Sequence, residues 1–176
     1  MTDRSTTATV RLLIAEDVDL VAEAFEALLS TEPGFEVVAR VGRGDLVLPA
    51  VLEHRPDVAV LDVDMPGATG IEAAALITAA YPACKVLLLT ALPGSGHLHR
   101  ALAAGASGYL VKATTAARLI DGIRTVADGG TVIDPQLAAD ALRSGPSPLT
   151  DRARTTCCVV QSGGGLGGRE FATRPA

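Results

Sequence analysis

Tryptophan is absent from this 176-residue chain, aromatic residues make up only 3% of it, and cysteine occurs three times. With 48% hydrophobic residues and almost no rings, the core has to be built from Ala, Val, Leu and Ile, which suits helices packed on a parallel sheet. Cys84, Cys157 and Cys158 make no disulfide framework, and the last two are sequence neighbours. No apolar run approaches the ~18 residues of a membrane span, and no secretory signal is visible. The expectation is therefore a cytoplasmic protein with no membrane partner. Positive charge is not in excess either, and the net charge of −5 gives no overall nucleic-acid footprint. That charge is uneven. Residues 1–149 hold 11 Lys and Arg against 18 Asp and Glu, whereas residues 150–176 hold 4 against 2.

What the sequence does contain is organised around Val58-Ala59-Val60-Leu61-Asp62-Val63-Asp64-Met65-Pro66-Gly67. A short apolar run that ends in an aspartate and a Pro-Gly turn predicts a strand buried on both faces. It places Asp62 at the strand's C-terminal end, where open α/β sheets bind their ligands. A first strand, Val10 to Ala15, ends similarly in Glu16-Asp17. Adjacent carboxylates at a strand end repel each other unless something offsets them, although one of the pair could simply cap the next helix.

Strands are also predicted at 35–40, 85–89 and 108–111, with helices at 18–30, 45–54, 71–81, 97–104 and 115–127. Five strands alternating with five helices, joined by right-handed crossovers, give a doubly wound parallel sheet with helices on both faces. All strand ends then lie on one edge. Glu16, Asp17, Asp62, Thr90 and Lys112 converge there, although they come from positions nearly a hundred residues apart. Three carboxylates in one cleft call for a divalent cation, and an all-oxygen site with room for water suits Mg²⁺. A carboxylate, a metal, a hydroxyl and an ammonium together suit a phosphoryl group, with the carboxylate as nucleophile.

Glu16-Asp17, Leu61-Asp62-Val63-Asp64-Met65-Pro66-Gly67, Thr90-Ala91 and Gly108-Tyr109-Leu110-Val111-Lys112 together resemble the receiver domain of bacterial two-component response regulators, over roughly residues 9–128. The run Ala101 to Tyr109 is similar to the NarL/FixJ (LuxR-type) branch. The resemblance implies a flavodoxin-like receiver fold with Asp62 as phosphoacceptor. It implies Mg²⁺ on Asp17, Asp62 and the Asp64 backbone carbonyl, with Glu16 acting through water. Thr90 and Lys112 would contact the phosphoryl group, and Tyr109 would turn inward when Thr90 moves. A sensor histidine kinase is the implied donor, transcription control the implied output, and a homodimer through the first and fifth helices the implied assembly. Such a chain would catalyse only its own phosphorylation and dephosphorylation. Two positions depart from the family pattern. Ala113 stands where many receivers have proline, which leaves the following loop open, and Thr69 stands where Asp is common.

Alternative readings stand beside these. A haloacid-dehalogenase-type phosphatase also uses an Asp-x-Asp strand end, but on its first strand and with its acidic motif last. A receiver-like binding module that is never phosphorylated would not need the full set of site side chains. His54, His97 and His99 are expected on solvated helix surfaces, and Cys84 as a small buried hydrophobe.

At the ends, residues 1–8 are expected to be disordered. Residues 129–149 are expected to form a linker with a short helix over 136–143. Pro146 to Arg152 resembles the opening of a LuxR-type helix-turn-helix domain, and the pattern then stops. Five glycines in residues 163–168 predict a disordered tail over 150–176. DNA is accordingly expected as a partner of the intact parent and not of this chain.

Overall fold

The computed structural model describes residues 9–91 and 95–144. The expectations for residues 1–8 and for the tail after 149 lie outside the described residues. In chain order the elements are β1 (Val10–Ala15), α1 (Asp19–Ser30), β2 (Phe35–Val41), α2 (Val47–His54), β3 (Val58–Asp62), α3 (Gly70–Ala80), β4 (Lys85–Thr90), α4 (Ser95–Ala103), β5 (Gly108–Val111), α5 (Ala116–Ala127), β6 (Val132–Ile133) and α6 (Pro135–Ser144). A 3₁₀ turn, Gly44–Leu46, leads into α2. The sheet runs β2-β1-β3-β4-β5-β6, and every pairing is parallel.

Strand alternation divides the interior into two layers. Leu13, Ala15, Ala59, Leu61, Val86, Leu88 and Tyr109 face one side, where α2, α3 and α4 pack. Leu12, Ile14, Val58, Val60, Leu87, Leu89 and Leu110 face the other, against Leu29 of α1 and Leu119, Ile123 and Val126 of α5. Helices cover both faces, so the central strands read as unbroken apolar runs. From β1 the chain moves outward to β2, then crosses back to β3 on the other side of β1. That reversal leaves a crevice above the C-terminal ends of β1 and β3.

The sheet has six strands where the sequence pattern gave five. Val132 and Ile133 pair with Gly108 and Tyr109, and Asp134 N–H donates to the Tyr109 carbonyl at 2.9 Å. Two residues are too few to show any periodicity, which is why the sequence hid them. The Asp134 carboxylate then caps α6 by accepting the Gln136 N–H at 2.9 Å, with Pro135 at the first helical position. Leu137 is 1% exposed and belongs to the same apolar layer as Leu98, Ala101 and Tyr109. Leu137→Ala is expected to cost about 2–5 kcal/mol, the range for a buried leucine. Urea unfolding is the check, and a loss within ~0.5 kcal/mol would mean that α6 is not anchored there.

Candidate functional site

Three strand ends bring the site together. Glu16 follows β1 and is 2% exposed, Asp62 closes β3 at 5%, and Thr90 closes β4 at 0%. Asp17 is exposed at the mouth. Ligand oxygens of Glu16, Asp17 and Asp62 all lie within 4.8 Å of one another. Lys112, just beyond β5, places Nζ 2.7 Å from Glu16 Oε2 and 3.1 Å from Asp62 Oδ2. Both Glu16 oxygens are buried, and Lys112 is the cation within ion-pair reach of them. Thus the pocket has more negative charge than its lysine balances, together with buried oxygen lone pairs to spare. Such an all-oxygen set fits a hard divalent cation.

The electrostatics agree. Burial pushes the Glu16 and Asp62 carboxyls up, and Lys112 pulls both back only in part. Burial opposes the charge on Lys112 too, but its bonds to Glu16 and Asp62 prevail and hold it above its ordinary value. A carboxyl raised on folding binds its proton more tightly in the native state. Its contribution is therefore most favourable below the unfolded value of 3.8 for Asp62 or 4.5 for Glu16. Stability falls as pH climbs from there through the raised folded value. In excess chelator, Asp62→Asn is expected to melt above wild type at pH 7, with the gap closing as pH falls below the ordinary carboxylate range. Equal melting temperatures at neutral pH would show that Asp62 carries no such burden.

The β3–α3 loop is closed tightly. Val63 N–H donates to Leu89 O, and Gly70 N–H to Val63 O, both at 2.9 Å. A Cβ at Gly70 would sit 2.0 Å from the Asp62 carbonyl oxygen, so only glycine lets α3 start there. Thr69, the departure from the family pattern, caps α3. It forms a full capping box with Glu72, whose carboxylate accepts the Thr69 N–H at 2.8 Å. Thr69-Gly70-Ile71-Glu72 carried that signal in the sequence, where the helix is expected from Ile71 without its Thr69 cap. Asp64 is exposed. The other departure is benign as well: the Lys112–Ala113 peptide is trans, and Thr114 N–H closes a turn onto Val111 O at 3.0 Å.

Tyr109 is fully buried and turned into the layer under α4, beside Thr90. Burial raises its phenol, and the Thr90 hydroxyl partly offsets this. The Tyr109 hydroxyl is enclosed without a well-aligned partner. Cys84 is buried as expected, and burial pushes its thiol up to about 12. His97 differs from expectation: it is half-buried with Nδ1 enclosed. Spacing gave no hint of Arg43 and Asp45, which pair with each other against the far side of the β3–α3 loop.

An aspartate-centred acid pocket at the switch point of a doubly wound sheet, with a lysine facing it and a buried threonine at the end of the next strand, defines a receiver-type domain. The chain belongs to the response regulator receiver domain family, which matches residues 12–124. It is 36% identical over 154 residues to the transcriptional regulatory protein DesR of Bacillus subtilis, covering 88% of this chain and 76% of that protein. The oxygen regulatory protein NreC of Staphylococcus epidermidis is 37% identical over 129 residues, 73% of this chain and 59% of NreC. The chain thus spans between about three fifths and three quarters of these relatives. Among solved structures, a LuxR-family two-component response regulator from Aurantimonas superposes with a TM-score of 0.74 at 31% identity, over 78% of this chain and 98% of that one. The signal receiver domain of the NarL-like regulator of Mycobacterium tuberculosis gives 0.67 at 31%, over 69% and 98%. The phosphatase and the unphosphorylated binding module are not favoured by these relatives. Among the described residues no helix is long and apolar enough to cross a membrane.

Proposed function

We propose that Asp62 accepts a phosphoryl group from the phosphohistidine of a sensor histidine kinase, with Mg²⁺ held by Asp17, Asp62 and the Asp64 carbonyl and by Glu16 through water. The observation that carries this reading is the triad of Lys112 with Glu16 and Asp62 at 2.7 and 3.1 Å, in a pocket with a carboxylate excess. When bound, the cation supplies charge for the phosphoryl oxygens and quiets the carboxylate repulsion. An Asp62 oxygen attacks phosphorus, and the new P–O bond forms as the P–N bond breaks. The P–N electron pair stays on the ring nitrogen, so the histidine leaves as neutral imidazole when its other nitrogen carries the proton. Lys112 then exchanges its carboxylate partner for an equatorial phosphoryl oxygen, and Thr90 donates a hydrogen bond to another. This is self-modification and not turnover of a substrate.

Thr90 and Tyr109 form the switch, and the buried Tyr109 supports an inward state that phosphorylation reinforces. The output is transcription control in a longer cytoplasmic parent that carries a DNA-binding domain, in keeping with relatives named as transcriptional regulators. A homodimer through α1 and α5 would draw on the exposed Leu20 and the half-buried Val21, Phe25, Leu28 and Ile120, because Leu119, Ile123 and Val126 are buried in the core. Residues 1–8, 9–128, 129–149 and 150–176 are the proposed N-terminal segment, receiver, linker and tail. Incubation with Mg²⁺ and a small phosphodonor, followed by intact mass, tests the reading: one acid-labile phosphoryl group per chain should be gained, and none when chelator is present from the start.

A further inference from the structure

Asp62 is not positioned by its strand alone. The backbone of Asp64, two residues on in the β3–α3 loop, works against the burial that raises the Asp62 carboxyl, so that loop bears on the nucleophile. The stretch before α2 docks on the outer side of that loop. Gly44 is buried, its N–H donates to Pro66 O at 3.0 Å, and a Cβ there would fall 1.8 Å from the Ala68 carbonyl oxygen. Beside it, Arg43 grips Asp45 as a fork, Nε to Oδ1 and Nη2 to Oδ2, both at 3.0 Å. The fork lies across Gly67: a Cβ at Gly67 would meet Asp45 Oδ1 at 2.3 Å and Arg43 Nη2 at 3.0 Å. Backbone and side chains of residues 43–45 therefore cover residues 66–68 from one side, while the capping box at Thr69 and Glu72 fixes the loop's exit.

We infer that the Arg43–Asp45 fork is a positioning device for the phosphoryl and metal site, clamping residues 66–68 so that the Asp64 backbone meets Asp62 and the cation in one geometry. The inference rests on the reading of Asp62 as an Mg²⁺-dependent phosphoacceptor. About half of each side chain in the fork is exposed, and such surface pairs contribute little to global stability. Its effect belongs at the site.

Mg²⁺ titrations followed by the amide resonances of residues 16–17 and 62–64 test this on the full chain. Arg43→Ala and Asp45→Ala are each expected to weaken Mg²⁺ by about 10-fold, the low end for residues that support metal ligands. The melting temperature in chelator should barely change. Because the two side chains act as one unit, the double variant should be no worse than either single. Arg43→Lys should rescue poorly, since an ammonium cannot make the fork. Unchanged Mg²⁺ affinity in both alanine variants would overturn the inference, as would losses that track the melting temperature or full rescue by lysine. If wild type itself shows no Mg²⁺-dependent shifts at residues 16–17 and 62–64, the parent reading fails, a result separate from a wild type that binds and variants that match it.

Discussion

Lys112→Ala is expected to slow phosphorylation by a small phosphodonor about 10²–10³-fold at saturating Mg²⁺, the loss found when one preorganised charge stabiliser is removed from a reacting oxyanion. The lysine is 20% exposed, sits within ion-pair distance of both buried carboxylates, and is held charged by them. It is therefore in place before the phosphoryl group arrives and needs no reorganisation. In metal-free protein the substitution should also destabilise the fold, because two buried carboxylates lose their nearest cation. Single-turnover labelling with Mg²⁺ present separates the two effects, and a rate within about threefold of wild type would remove Lys112 from the chemistry.

Thr90→Val is expected to leave Asp62 able to accept phosphate, more slowly, while uncoupling the response. In wild type, phosphorylation should increase hydrogen-exchange protection through β5, β6 and α6. Tyr109 sits next to Thr90, and its carbonyl and its strand hold the Asp134 N–H and Ile133. Signals at Thr90 therefore reach α6 through one residue and its ladder. Coupling free energies of this kind run about 1–3 kcal/mol, so protection factors near residues 132–138 should differ by roughly 5–150-fold between states. The valine variant should lose most of that difference. Equal changes in both proteins would show that Thr90 is not the link.

Much of this arrangement was legible from spacing. The apolar runs before Asp62 and Thr90 marked buried strands, and the strand-end placement of Glu16, Asp62, Thr90 and Lys112 follows from parallel topology alone. Helix faces were less legible. On α1, the spacing of Leu20, Ala24, Ala27 and Leu28 predicts the inward stripe, yet Leu20 is 76% exposed while Ala22 and Leu29 are buried. That helix is apolar on several sides, so docking against β1 and β2 chooses the face and periodicity cannot. Likewise α2 begins at Val47, later than expected, because residues 44–46 turn as a 3₁₀ segment to meet the Pro66 and Ala68 carbonyls. The two-residue β6 is too short for periodicity to mark, and both it and the Arg43–Asp45 fork gain meaning only from a neighbour distant in sequence.

The most direct test is the intact mass of wild type and Asp62→Asn after incubation with Mg²⁺ and a small phosphodonor, with folding of both checked by thermal melting. The nucleophile at the centre of the site is Asp62, so wild type should gain a single acid-labile phosphoryl group and the folded asparagine variant none. Phosphoryl uptake by Asp62→Asn equal to wild type would contradict the account.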